Sequence, residues 1–235
     1  MIRGAAEPLE APPPVGPPVP GWRERPRPPG GPLEGRYCRL EPLQPAHSAP
    51  LHEAYSLDPT GRGWTYLPYG PFEDAGAYRE WVEDVSRRHD PLFFAILDAG
   101  TRPVGVASYL RITPAVGTIE VGHIHYAPPL QRTRAATEAM YLMMRHAFDD
   151  LGYRRYEWKC DDLNAPSRGA AERLGFVYEG THRQSTIYKG RNRDTAWYSI
   201  IDTEWPGVRG GMERWLEPDN FDADGVQRTA LSVRL

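Results

Sequence analysis

Residues 161–176 read Asp-Asp-Leu-Asn-Ala-Pro-Ser-Arg-Gly-Ala-Ala-Glu-Arg-Leu-Gly-Phe, and no other run limits the fold as tightly. An apolar, aromatic stretch, 153–160, leads into it with the residue types of a buried strand. Asn164 is a good helix N-cap, because its side chain accepts a backbone N–H from the first turn. Pro166 sits in that turn, where its missing N–H costs nothing. Gly175 supplies a left-handed C-cap and Phe176 can fold back onto the helix. The run therefore predicts strand, polar turn, short helix and glycine stop. It holds Asn164 and Ser167 at a helix N-terminus beside the end of a strand, a common place for a ligand.

The remaining elements follow from periodicity. Residues 36–43 alternate like a first strand. Helical stretches are expected at 46–57 and 72–88, with a Gly- and aromatic-rich loop between them that carries Trp64, Tyr66 and Tyr69. Residues 92–97 form a continuous apolar run, as a strand buried on both faces would. Strands follow at 104–112 and 117–126, then the longest helical pattern, 131–151, with Ala135, Ala139, Leu142, Met143, His146 and Ala147 on one face. Strand 154–160, helix 164–174 and strands near 176–189 and 194–203 complete an α+β layer. Three segments are expected: an irregular Pro- and Gly-rich extension over 1–35, a domain over 36–205, and a C-terminal helix (210–216) with a polar tail over 206–235. Proline removes donors and blocks the α region, so the extension is expected to lie on the surface without helix or ladder.

Composition excludes several classes. A net charge of −3 gives no case for a nucleic-acid surface. Two cysteines, Cys38 and Cys160, make neither a disulfide framework nor a metal site. No apolar run of about 18 residues suits a membrane span. The N-terminus lacks an apolar signal core, and a cytoplasmic protein is expected.

The run 161–176 resembles the GNAT acyltransferase superfamily, in which Asn-x-x-Ser/Ala, a helix and Leu-Gly-Phe line the pantetheine arm of acetyl-CoA. Thr118-Ile119-Glu120-Val121-Gly122-His123 is similar to the Glu-Ile-Gly-Tyr strand of the branch that acetylates N-terminal amines of ribosomal proteins. Gln131-Arg132-Thr133-Arg134-Ala135-Ala136-Thr137 follows where that family places its pyrophosphate loop. The resemblance covers about 36–205. It implies the GNAT fold: a mixed, mostly antiparallel sheet of six to seven strands, splayed between the fourth (117–126) and fifth (154–160) and flanked by helices.

The resemblance also implies an N-acetyltransferase that moves an acetyl group from acetyl-CoA to a primary amine by direct attack. The acceptor would be a small molecule or a protein N-terminus. No metal, nucleic-acid or membrane partner is implied, and a homodimer is allowed. Acetyl-CoA would be held by Ile124, His125, Tyr126, Gln131–Thr137, Asn164 and Ser167. Arg134 stands where the family has its first loop glycine, and Arg132 and Arg134 can add charge-assisted bonds to phosphate. Glu120 matches the acid facing the acceptor, so the base is Glu120 or a histidine, His123 before His125. Ser167 is the donor expected to protonate the departing thiolate, because the family's alternative tyrosine is here Ala171. The loop 64–69 and the stretch 179–183 are expected to frame the acceptor. Two other readings stay open: a non-catalytic CoA-binding module, which the missing tyrosine and the altered loop allow, or an enzyme using succinyl-CoA, which would suit a pocket lined by Arg183 or Arg193.

Overall fold

A computed structural model describes residues 13–233, so the first twelve residues of the Pro-rich extension lie outside the described part. Its strands are β1 (Leu33–Glu34), β2 (Cys38–Pro42), β3 (Leu92–Asp98), β4 (Pro103–Thr113), β5 (Thr118–Tyr126), β6 (Arg155–Asp161), β7 (Val177–Tyr188) and β8 (Arg191–Ile201). Its helices are α1 (Ser48–Tyr55), α2 (Ala75–Val85), α3 (Arg134–Arg145), α4 (Ala165–Arg173) and α5 (Trp205–Leu216). The strands form one sheet in the order β1-β2-β3-β4-β5-β6-β8-β7. Every pairing is antiparallel except β5 with β6.

This is the α+β mixed sheet expected, with eight strands among the described residues rather than six or seven. The additional strand is β1, within the stretch expected to make no ladder. Leu33 and Glu34 pair with Leu40 and Arg39. Neither is a proline, so both keep the N–H that a ladder needs. The α3 residue Glu138 holds the turn between β1 and β2. Its buried carboxylate accepts the backbone N–H groups of Arg36 (2.8 Å), Tyr37 (2.6 Å) and Cys38 (2.8 Å).

Two cores lie on opposite faces of the sheet. The larger one packs α3, α4 and α5 against the sheet through Met140, Met143, Tyr109, Tyr156 and Trp205. The smaller one packs α1 and α2 against β3 and β4 through Leu51, Tyr78, Val82 and Phe93. β3 contributes to both, since Phe94 and Ile96 face one core while Phe93, Ala95 and Leu97 face the other. That explains the unbroken apolar run 92–97. α5 begins at Trp205, five residues before its expected start, and the segment after it buries Phe221 and Val233 in the larger core.

The run 161–176 folds as its residues dictate. Asn164 Oδ1 accepts the Ser167 N–H at 3.2 Å. At the other end the Gly175 N–H reaches Glu172 O (3.1 Å) and the Phe176 N–H reaches Ala171 O (3.0 Å). These are the two bonds of a Schellman cap. Gly175 adopts φ 95°, which a side chain would strain.

Candidate active site

β5 and β6 pair only from Thr118 opposite Arg155 to Val121 opposite Trp158. Beyond that point they part, and the reason lies in β5. Val106 of β4 faces His125 and Ser108 faces Gly122, so Ala107 alone spans His123 and Ile124. A strand with such a bulge bends. His123 takes φ 51° at this bulge. The bend opens a cleft of about 1660 Å³ between the two strands.

Stretches far apart in sequence line this cleft: Ile124 and Tyr126 on β5, Gln131–Arg134 with Ala136 and Thr137 at the start of α3, and Asn164 with Ser167 at the start of α4. Two residues expected there are elsewhere. Ala135 packs against the larger core. His125 is buried on the α1/α2 face, stacked on Tyr55 (4.1 Å between centroids) and against the edge of Trp64 (3.9 Å). The bulge displaces it: one residue more on β5 turns its ring into the aromatic cluster. Gly63 leaves room for it, since a Cβ there would come within 2.5 Å of His125 Nε2.

The start of α3 presents a helix N-terminus, with Thr133 capping Ala136 N–H at 3.1 Å. Its amides and dipole favour an anion. Arg132 lines the cleft at φ 59°. Arg134 also lines it, and its guanidinium lies over the rings of Tyr37 (4.3 Å) and Phe221 (5.3 Å). Arg173 of α4 donates to Thr137 Oγ1 (3.1 Å) and lies over Trp215 (5.0 Å). Sequence reading missed Arg173 because it lies on the last turn of α4, away from Asn164 and Ser167, and only the packing of α4 beside α3 brings it to the cleft.

At the α4 end, Ser167 Oγ accepts the Trp158 indole N–H at 3.0 Å. That bond leaves the hydroxyl hydrogen for another acceptor. Ala171, at the family's tyrosine position, is fully buried.

The other wall is charged. Glu157, Lys159 and Asp161 alternate along β6 and so share one face. Lys159 Nζ lies 2.9 Å from Glu120 Oε2 and 2.7 Å from Glu157 Oε2. Arg111 Nη1 adds a second cation to Glu120 Oε2 at 2.6 Å. Glu120 is thus in the cleft, as expected, and joined to two cations. His123 stands nearby, its Nδ1 3.2 Å from the Tyr69 hydroxyl. Burial, then the positive charges of Arg111, Arg193 and Arg88, lower its pKa to about 4. His125 is lowered to about 3, again chiefly by burial.

Another part of the cleft is lined by Gly63, Tyr66 and Leu67 and by residues 185–188; residues 179–183 do not line it. β7 is 12 residues long, and its later half is the part that reaches the cleft. Tyr188 donates to Asp161 Oδ2 (2.8 Å), and Tyr66 to Leu163 O (3.1 Å). Arg183 lies instead at a separate surface pocket with Asp194. Alternation along β6 was a signal that could have identified Lys159 and Asp161. The contributions of Trp197 and Tyr188 required the β7–β8 hairpin to be placed over β6.

Comparison with known proteins agrees with this geometry. The model of the acetyltransferase (GNAT) domain matches residues 38–177. A GCN5-related N-acetyltransferase from Brucella melitensis is similar at 45% identity and a TM-score of 0.89, covering 91% of this chain and 97% of its own. A GNAT-family structure from Chromobacterium violaceum is similar at 40% identity and a TM-score of 0.76, covering 83% of this chain and 99% of its own. The Bacillus subtilis protein named "Putative ribosomal N-acetyltransferase YdaF" is 32% identical over 73 residues, which are 31% of this chain and 40% of that protein. The chain belongs to the GNAT acetyltransferases and is an N-acetyltransferase of that type.

Proposed function

We propose that this enzyme takes its acyl group from acetyl-CoA and delivers it to a primary amine of a small molecule or a protein N-terminus, by direct attack within the β5/β6 cleft. The observation that carries the reading is the convergence of β5, the α3 N-terminus and Ser167 on one opening. The chain's groups fit the donor. The α3 N-terminus with Arg132 offers amides and positive charge to a diphosphate, and β5 beyond its bulge is free of β6 for an extended arm. Bound there, acetyl-CoA supplies an activated thioester.

The residues then have separate tasks. Arg193, which has no ion-pair partner among the described residues, adds positive charge beside His123, which disfavours an ammonium there and favours the free amine that can attack. His123 is neutral at physiological pH. With Nδ1–H donated to the Tyr69 oxygen, Nε2 keeps its lone pair and receives the amine's proton. Glu120 positions Arg111 and Lys159. Ser167, whose Oγ accepts the Trp158 indole N–H, donates its own hydroxyl hydrogen toward the departing sulfur.

The test is CoA release, read with a thiol reagent, across a panel of amines and peptides, together with calorimetry of CoA binding. Turnover with at least one amine and saturable CoA binding are expected. Failure of CoA to bind at millimolar concentration would remove the reading.

A further inference from the structure

On β8, Trp197 lies opposite Lys159 and Thr195 opposite Asp161. The two-residue period of a strand places Arg193, Thr195 and Trp197 on the same face, and all three line the cleft. Arg193 Nε and Trp197 Nε1 are both buried and have no hydrogen-bond acceptor. Buried donors are normally paired, so two orphans in one row point to a missing acceptor. Among the described residues Arg193 makes no ion pair. Asp161, the acid on the adjacent strand, is already occupied: its Oδ1 accepts Leu163 N–H (2.9 Å) and its Oδ2 accepts the Tyr188 hydroxyl (2.8 Å). Lys159 Nζ lies 3.7 Å from the centre of the Trp197 ring but is already paired with Glu120 and Glu157, so among the described residues Arg193 is the cation of this wall left without a counter-charge. Such a seat suits a group that only accepts hydrogen bonds and carries negative charge.

We propose that Arg193 and Trp197 together seat a carboxylate of one of the two reactants. A guanidinium fork matches the two oxygens of a carboxylate, and the indole N–H supplies a further donor. The carboxylate has two possible sources, a carboxyl on the acceptor beside its amine or a distal carboxyl on the acyl group. The inference rests on the acyl-CoA reading above.

The experiment compares kcat/KM ratios in two arms. The first uses acetyl-CoA with a panel of amino acids, each against its decarboxylated amine. The second uses succinyl-CoA against acetyl-CoA with the same amines. In one arm the wild-type enzyme should prefer the carboxylated reactant. Arg193→Gln should cut that preference by about ten- to a hundredfold, the range for a hydrogen bond to a charged group. Arg193→Lys should restore part of it, and Trp197→Phe should lower it by a smaller factor. Calorimetry with free CoA checks that each variant still folds and binds. No carboxylate preference in either arm, or equal loss for both members of each pair, would overturn the seat while leaving the N-acetyltransferase reading standing. Absence of CoA release with every amine would remove both.

Discussion

His123 and His125 differ by two positions, and the bulge gives them different work. One ring lines the cleft and the other fills the aromatic cluster. Both are held neutral, with pKa values lowered to about 4 and about 3. For activity, a base already deprotonated above pH 5 contributes no inflection near 6.5. We expect kcat/KM to rise about tenfold per pH unit until the acceptor's own pKa, which a profile from pH 5.5 to 9 would show. An inflection near 6.5 that vanishes in His123→Ala would contradict this. For stability, the unfolded histidines titrate near 6.5, so below that pH the unfolded state binds more protons than the folded one. Stability is full above pH 6.5 and is lost as pH falls toward 4. His125 alone should cost about 2 kcal/mol between pH 6.5 and 5, at roughly 1.4 kcal/mol per unit. Denaturant titrations of wild type and His125→Phe should show the flatter acid limb in the variant. Ser167→Ala should slow single-turnover acyl transfer about tenfold, the low end for a positioned proton donor, because water can replace a weakly acidic hydroxyl. An unchanged rate with intact far-UV CD would leave Ser167 only the task of accepting the Trp158 indole N–H.

At the scale of elements, α4 is positioned by its two ends. Asn164 caps its start, and Gly175 ends it beneath α5 and the C-terminal segment. A Cβ on Gly175 would lie 2.8 Å from Val233 Cγ2 and 3.1 Å from Val208 Cγ2. Gly175→Ala therefore meets both a left-handed φ and a full space. We expect a loss of about 2 kcal/mol, from backbone strain with some overpacking, measured by urea unfolding. A change under about 0.5 kcal/mol, as at an unconstrained surface site, would show that α4 does not depend on this stop.

At the scale of the whole molecule, the Pro-rich segment is attached to the end of the sheet opposite the α3 and α4 N-termini. Trp22 Nε1 donates to Ala115 O (2.8 Å), Arg25 N–H to Pro114 O (3.1 Å), and the Tyr153 hydroxyl to Pro26 O (3.2 Å). Trp22 fits over Gly117, where a Cβ would come within 2.4 Å of its ring. Deleting residues 1–32 should lower Tm by about 4–8 °C, as a loss near 2 kcal/mol does in a chain of this size. CoA affinity should stay within about twofold, because these contacts lie at the base of β5 and β6, while the α3 and α4 N-termini lie at the open end. A Tm unchanged on deletion, or CoA affinity lost with it, would refute this division. Among the described residues no helix is long and apolar enough to cross a membrane.

The sequence by itself determined what local chemistry controls. Asn164, Pro166 and Gly175 set the limits of α4 through capping and backbone freedom. Alternation marked β2, β4 and β5, and an unbroken apolar run marked β3 as buried on both faces. The three motif stretches placed most of the cleft, because each is a local loop-and-helix feature whose residues must be adjacent in the chain. Tertiary structure decided the rest. No spacing rule says that one residue of β4 spans two of β5, yet that bulge sends His125 out of the cleft and keeps His123 within it. The partners of Glu120, Arg111 and Lys159, come from two other strands, so its ion pairs exist only once the sheet is registered. Leu33 and Glu34 form a strand only because Glu138, about a hundred residues later, gathers the three N–H groups of the following turn. Arg193 and Trp197 acquire their unpaired donors by the same route. Burial and pairing are properties of strands brought together, and a hairpin read alone cannot show which of its donors will be left without an acceptor.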